Sequence, residues 1–81
     1  MSKLQESQIE IIKNLIAEKS GVDVEKISND LELKDNLGID SLDIVELIME
    51  LEEEFNCTIP DEDYESSMFV KDIIEIVENR I

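Results

Sequence analysis

Few residues in this chain are suited to covalent chemistry, and Ser41 is the best placed of them. It lies in Leu37-Gly38-Ile39-Asp40-Ser41-Leu42-Asp43, where a glycine turn leads into an Asp-Ser pair and a strongly helical, acidic segment follows. That order puts a hydroxyl at the exposed start of a helix. Taken alone, such a serine is a helix cap, and either Asp40 or Ser41 can cap here. The chain has no histidine, and no base is paired with Ser41 in the sequence, so a nucleophilic enzyme is not expected. Cys57 stands beside an acidic helix end, which disfavours a thiolate. It reads as a small hydrophobe near the edge of the core. The run Asp35-Asn36-Leu37-Gly38-Ile39-Asp40 lacks the ligand spacing and the closing bidentate glutamate of a calcium loop, so no specific metal site is expected.

The elements that must position Ser41 are helical. Two glycines and one proline leave little punctuation for a multi-stranded fold. A first helix over about 3 to 18 puts Ile9, Ile12, Leu15 and Ile16 near one face, with a stop at Ser20-Gly21. Residues 22 to 40 form a long connection carrying apolar anchors at Val22, Val24, Ile27, Leu31, Leu33, Leu37 and Ile39. This pattern predicts an ordered loop pinned to the core, with a helical turn near Val24 to Ile27. A second helix runs from about 41 to 55 and stops at Asn56. The segment before Pro60 is extended, because a residue preceding proline avoids the helical region. A short third helix starts at Pro60-Asp61-Glu62-Asp63 and fades by Ser66-Ser67. A fourth, about 70 to 80, buries Val70, Ile73, Ile74 and Val77, with Ile81 as a further candidate. The expected fold is all-α. It is a small four-helix bundle with a long ordered loop between helices 1 and 2 and a short third helix, one domain over 1–81.

The second helix carries two apolar stripes. At about 100° per residue, Ile44, Leu47, Ile48, Leu51 and Phe55 share one arc, which is the core face. Leu42, Val45 and Met49 fall on a displaced arc, flanked by Glu46 and Glu53 with Glu50 further round. Packing alone needs one stripe, so the second is a candidate docking surface, the carboxylates steering basic partners. For Val45, burial under the loop or the third helix is an equal alternative.

Seven basic residues against 22 acidic ones give a formal net charge of -15. That surface repels nucleic acid and anionic membranes and favours partners with basic patches. Lone Cys57 precludes an internal disulfide and suits a reduced, cytoplasmic compartment. No apolar run reaches the ~20 residues that span a bilayer, and no leader segment is evident at the start.

The segment Leu37-Gly38-Ile39-Asp40-Ser41-Leu42-Asp43-Ile44-Val45-Glu46-Leu47 resembles the signature of acyl carrier proteins in order and spacing. So do Glu52-Glu53-Glu54-Phe55 and Ile59-Pro60-Asp61-Glu62 after it, and the likeness extends over nearly the whole chain. An aspartate before the serine fits an acyl carrier better than the peptidyl carriers. The resemblance implies a carrier and not an enzyme, with Ser41 bearing a covalent 4'-phosphopantetheine arm taken from coenzyme A by a separate, Mg2+-using phosphopantetheinyl transferase. A helix N-terminus tolerates the phosphodiester well. It further implies that Asp40, Leu42, Glu46, Met49 and Glu53 meet partners, joined by Val45 and Glu50 from the helix projection. Those partners would be acyl-transferring and fatty-acid or polyketide synthesis enzymes, met by a monomer. Leu47, Leu51, Ile59 and Ile73 are candidate walls of an acyl cavity between the second and third helices.

The chain departs from that family pattern after the third helix. Where fatty-acid carriers often have an aliphatic residue followed by Thr-Thr-Val, it has Ser67-Met68-Phe69-Val70. A serine at a usually buried aliphatic site weakens the third helix or alters the acyl cavity, unless Met68 or Phe69 replaces the lost packing. Tyr64 occupies a commonly small position, and Asn36 a commonly acidic one. The leading expectation is a carrier of thioester-bound acyl groups for fatty-acid synthesis. The alternatives are a dedicated carrier for a polyketide, lipid-modifying or other specialised pathway, and an unmodified acidic interaction module.

Overall fold

A computed structural model describes residues 4–67 and 69–81. Met68, one of the two residues proposed to replace packing lost at Ser67, lies outside the described residues. Four α-helices occur among the described residues: α1 (Glu6–Ser20), α2 (Ser41–Phe55), α3 (Asp61–Tyr64) and α4 (Val70–Arg80). They form the expected all-α bundle, within extents of 27 × 25 × 20 Å.

Each helix end has a local cause. The Gln5 N–H donates to Gln8 Oε1 at 2.9 Å, which starts α1 a little later than the periodicity suggested. Gly21, at φ 75°, ends it by donating its N–H to the Ala17 carbonyl at 2.8 Å. Asn56 ends α2 in the left-handed conformation, at φ 51°, a residue type that tolerates it. Three carboxylates fill the first turn of α3, complementing its dipole.

The long connection between α1 and α2 is ordered throughout. It opens with a 3-10 turn at Val24–Lys26 and buries Ile27, Leu33, Leu37 and Ile39 in the common core. It is also tied to the start of α4. The Val70 N–H donates to the Leu31 carbonyl at 3.0 Å, and the Lys71 N–H to the Asn29 carbonyl at 3.1 Å. These N–H groups belong to the first turn of α4, where no helical carbonyl is in reach. The loop therefore satisfies α4 while α4 holds the loop. Glu32 and Phe69 form an isolated antiparallel bridge beside these bonds.

The core is aliphatic. Ile12 and Ile16 of α1, Leu47 and Leu51 of α2, and Ile73 and Val77 of α4 are fully buried. Burying each such side chain contributes about 1.5–3 kcal/mol, set against a large conformational-entropy cost. The fourth helix differs from expectation at its end. Ile76 is buried, whereas Ile81 is 44% exposed. The helix stops at Arg80, whose guanidinium meets Asp63 at 2.6 Å, and Ile81 lies beyond that contact.

Candidate functional site

Asp40, not Ser41, caps α2. Its Oδ1 accepts the Asp43 N–H at 3.0 Å, and Asp43 Oδ2 accepts the Asp40 N–H at 3.3 Å, a reciprocal box. Ser41 is the first residue of the helix and is exposed. Its hydroxyl makes no hydrogen bond among the described residues. The cap is thus supplied by its neighbour, and the Ser41 Oγ is left free at a helix N-terminus. The approach is set by Gly38, at φ 67°. Nothing lies within 4 Å of the position a Cβ would take there, so the glycine is needed for its backbone conformation and not for space. The Ile39 N–H returns to the Leu33 carbonyl at 2.8 Å, and buried Ile39 anchors the turn immediately before the pair.

The second stripe of α2 faces outward. Leu42 is 74% exposed, Met49 60% and Val45 40%, so the packed alternative for Val45 does not hold. Glu46 and Glu53 are exposed beside it, and Glu50 is partly buried. Lys19, in the last turn of α1, reaches this acidic face: its Nζ is 3.5 Å from Glu50 Oε2 and 4.0 Å from Glu46 Oε1. Sequence reasoning missed that contact, because it joins two helices far apart in the chain. Its one sequence signal is a basic residue in a helix's last turn.

An opening of about 360 Å³ adjoins Ser41. Leu33, Ile39 and Ile44 supply apolar wall, Ser67 closes one side, and Glu32, Lys34, Asp35 and Asp40 border it. The four wall candidates named from the sequence lie elsewhere. Leu47, Leu51, Ile59 and Ile73 are at most 4% exposed and belong to the closed core. They lie inward, as their aliphatic types suggest, but the space beside the serine is bounded by the long loop, which has no period to project.

Three titrating groups are displaced. Glu32 is held above the ordinary carboxylate range, chiefly by a hydrogen bond with Asp35, then by that neighbour's charge, and least by burial. Burial pushes the Cys57 thiol up, with Glu52 adding to it and Arg80 opposing, so this sulfur stays protonated. The Tyr64 hydroxyl donates to Asp61 Oδ1 at 3.0 Å, which is the main reason its pKa is raised. No cluster of metal-ligating side chains occurs among the described residues.

With this geometry the chain matches known proteins. A family model described as the phosphopantetheine attachment site matches residues 10–77. Among solved structures, an acyl carrier protein from Thermotoga maritima is similar at 35% identity, covering 91% of this chain and 86% of that one, with a TM-score of 0.77. The chain belongs to the phosphopantetheine-attachment family, as an acyl carrier protein. It is a carrier and not an enzyme, and its cofactor is a covalent 4'-phosphopantetheine. No described helix is long and apolar enough to cross a membrane.

Proposed function

We propose that Ser41 bears the arm and that the protein hands thioester-bound acyl groups to the enzymes of fatty-acid synthesis. The observation that carries this reading is the division of labour at the head of α2. Asp40 holds the cap, so Ser41 Oγ is exposed and unengaged. In the transferase reaction this oxygen forms a bond to the β-phosphorus of coenzyme A while the pyrophosphate linkage breaks, releasing adenosine 3',5'-bisphosphate. The serine proton passes to a base of the transferase, since this chain has no histidine to take it. The first-turn N–H groups of α2 that the Asp40 cap leaves free would stabilise the resulting phosphodiester.

The docking face is Leu42, Val45 and Met49, with Glu46, Glu50 and Glu53 along it and Asp40 beside the attachment point. Its support is the exposure of three large apolar side chains on the helix that starts at Ser41. Partners with basic patches meet it, drawn by the net charge of -15. The chain works as a single-domain monomer in the cytoplasm; its single, unpaired cysteine supports a reducing compartment. One observation favours a dedicated carrier for a specialised pathway as a second reading: a serine, Ser67, and not an aliphatic residue, is among those lining the opening beside Ser41.

The test is intact-protein mass after incubation with coenzyme A, Mg2+ and a broad-specificity phosphopantetheinyl transferase, with Ser41→Ala in parallel. A gain of one phosphopantetheine on the wild type alone is expected. Loading of folded Ser41→Ala, or no loading of the folded wild type by several transferases, overturns the assignment.

A further inference from the structure

Among the described residues, Ser67 has a shielded hydroxyl that the fold does not account for. Its backbone N–H bonds the Tyr64 carbonyl at 3.1 Å, ending the turn after α3. Its Oγ is shielded from solvent and has no hydrogen-bond partner among the described residues. An unpaired buried hydroxyl is costly, and natural folds rarely keep one without a use. Glu50 Oε2 is the other such atom, and it faces the Lys19 ammonium.

The place of this hydroxyl suggests its use. Ser67 lines the opening beside Ser41, opposite the apolar walls of Leu33, Ile39 and Ile44. It also borders a smaller cavity, about 210 Å³, between α3 and α4. Asp63, Asp72 and Glu75 line that second space, and Ser41 does not, so it is not the space the arm opens onto. A serine hydroxyl turns readily between staggered positions, and it both donates and accepts.

Resting on the reading that Ser41 bears the arm, we propose that Ser67 is a specificity-determining residue. It makes this cavity prefer an acyl group with an oxygen near the thioester, such as a 3-hydroxyacyl or 3-oxoacyl chain, over the saturated chain of the same length. The opening is also lined by Glu32, Lys34, Asp35, Asp40 and Ser41, so the two amides of the arm can find partners there, and the holo form without cargo is the control. A short chain with one oxygen matches one hydroxyl, and its methylenes match Leu33, Ile39 and Ile44. A saturated chain in the same place leaves the Ser67 Oγ unpaired, and a site built around a hydrogen bond discriminates against the analogue that lacks it.

The experiment loads wild type, Ser67→Ala and Ser67→Ile with hexanoyl or 3-hydroxyhexanoyl pantetheine from the coenzyme A thioesters. Hydroxylamine cleavage of each thioester is followed by intact mass and divided into the rate for the same free pantetheine thioester, giving a protection factor that cancels intrinsic reactivity. The wild type is expected to protect 3-hydroxyhexanoyl about three- to tenfold more than hexanoyl, the size of one net hydrogen bond. Ser67→Ala is expected to abolish the difference, and Ser67→Ile to favour hexanoyl. Equal protection on fully loaded wild type, or a preference that survives in Ser67→Ala, overturns the proposal. Amide spectra of the holo form without cargo form the second arm of the test. If Leu33, Ile44 and Ser67 shift there as far as with 3-hydroxyhexanoyl, the hydroxyl serves the arm and the proposal fails. Loading is read first: a mass that does not rise at Ser41 overturns the attachment reading, an outcome distinct from equal protection at full loading.

Discussion

Replacing Asp40 and Ser41 in turn separates the cap of α2 from its reactive group. Asp40→Ala removes the acceptor of the Asp43 N–H, bonded at 3.0 Å, and breaks the reciprocal 3.3 Å bond from its own N–H. Loss of such a cap costs about 0.5–2 kcal/mol, and loss of its charge near the helix dipole about 0.3–1 kcal/mol. Relief of repulsion in a chain of net charge -15 offsets part of this, leaving roughly 1–2 kcal/mol. For a domain of this size, that lowers the melting temperature by roughly 5–15 °C. Asp40→Asn keeps a good cap and sheds the charge, so it is expected within about 0.5 kcal/mol of wild type. Ser41→Ala removes no hydrogen bond and gains slightly in helix propensity, so its midpoint moves by no more than about 3 °C. Thermal unfolding followed by far-UV circular dichroism measures all three, and intact mass after transferase treatment measures their loading. Only Ser41→Ala should refuse the arm while keeping full stability. If Ser41→Ala falls as far as Asp40→Ala, the serine shares the cap and the division of labour at this helix is wrong.

Two further outcomes are expected. Gly38→Ala forces a side chain into the left-handed region with nothing to clash against, so its cost is backbone strain alone, about 1–2 kcal/mol, and Gly38→Asn should lose less; unchanged melting of Gly38→Ala counts against the turn as drawn. Glu32 has a pKa raised in the fold by its Asp35 neighbour, so its contribution is present below the unfolded value, about 4.3, and lost as pH rises through the folded one. Glu32→Gln should therefore melt above wild type at pH 7, with the gap closing as pH falls below the ordinary glutamate range; a gap that does not change with pH refutes the pairing.

Periodicity made α2 legible almost to the residue, because fifteen positions with two distinct apolar stripes leave little freedom in how a helix can sit. The loop was legible only as a set of anchors. Ile27, Leu33, Leu37 and Ile39 are buried as their types suggest, yet no spacing rule says which of them face the serine. The opening beside Ser41 was therefore not anticipated from the sequence, and Leu47, Leu51, Ile59 and Ile73, the candidate walls of an acyl cavity, lie in the core apart from it. Asp40 and Ser41 are equally good caps by type, and only the backbone geometry at Asp40, extended with φ -90° and ψ -176°, decides between them. The Lys19 contact with Glu46 and Glu50 depends on how α1 crosses α2, which the sequence of either helix does not state.

The bonds from Val70 to Leu31 and from Lys71 to Asn29 join positions about forty residues apart, so they close late and at an entropic cost. On the ribosome α1, the loop and α2 emerge first, while the partner of the loop is still unmade or hidden in the exit tunnel. The loop that leads to Ser41 does not gain these ties at Asn29 and Leu31 until α4 is free to meet it. A transferase that requires the assembled turn will therefore act only once α4 has packed, and the carrier is inspected for folding before it is equipped for work.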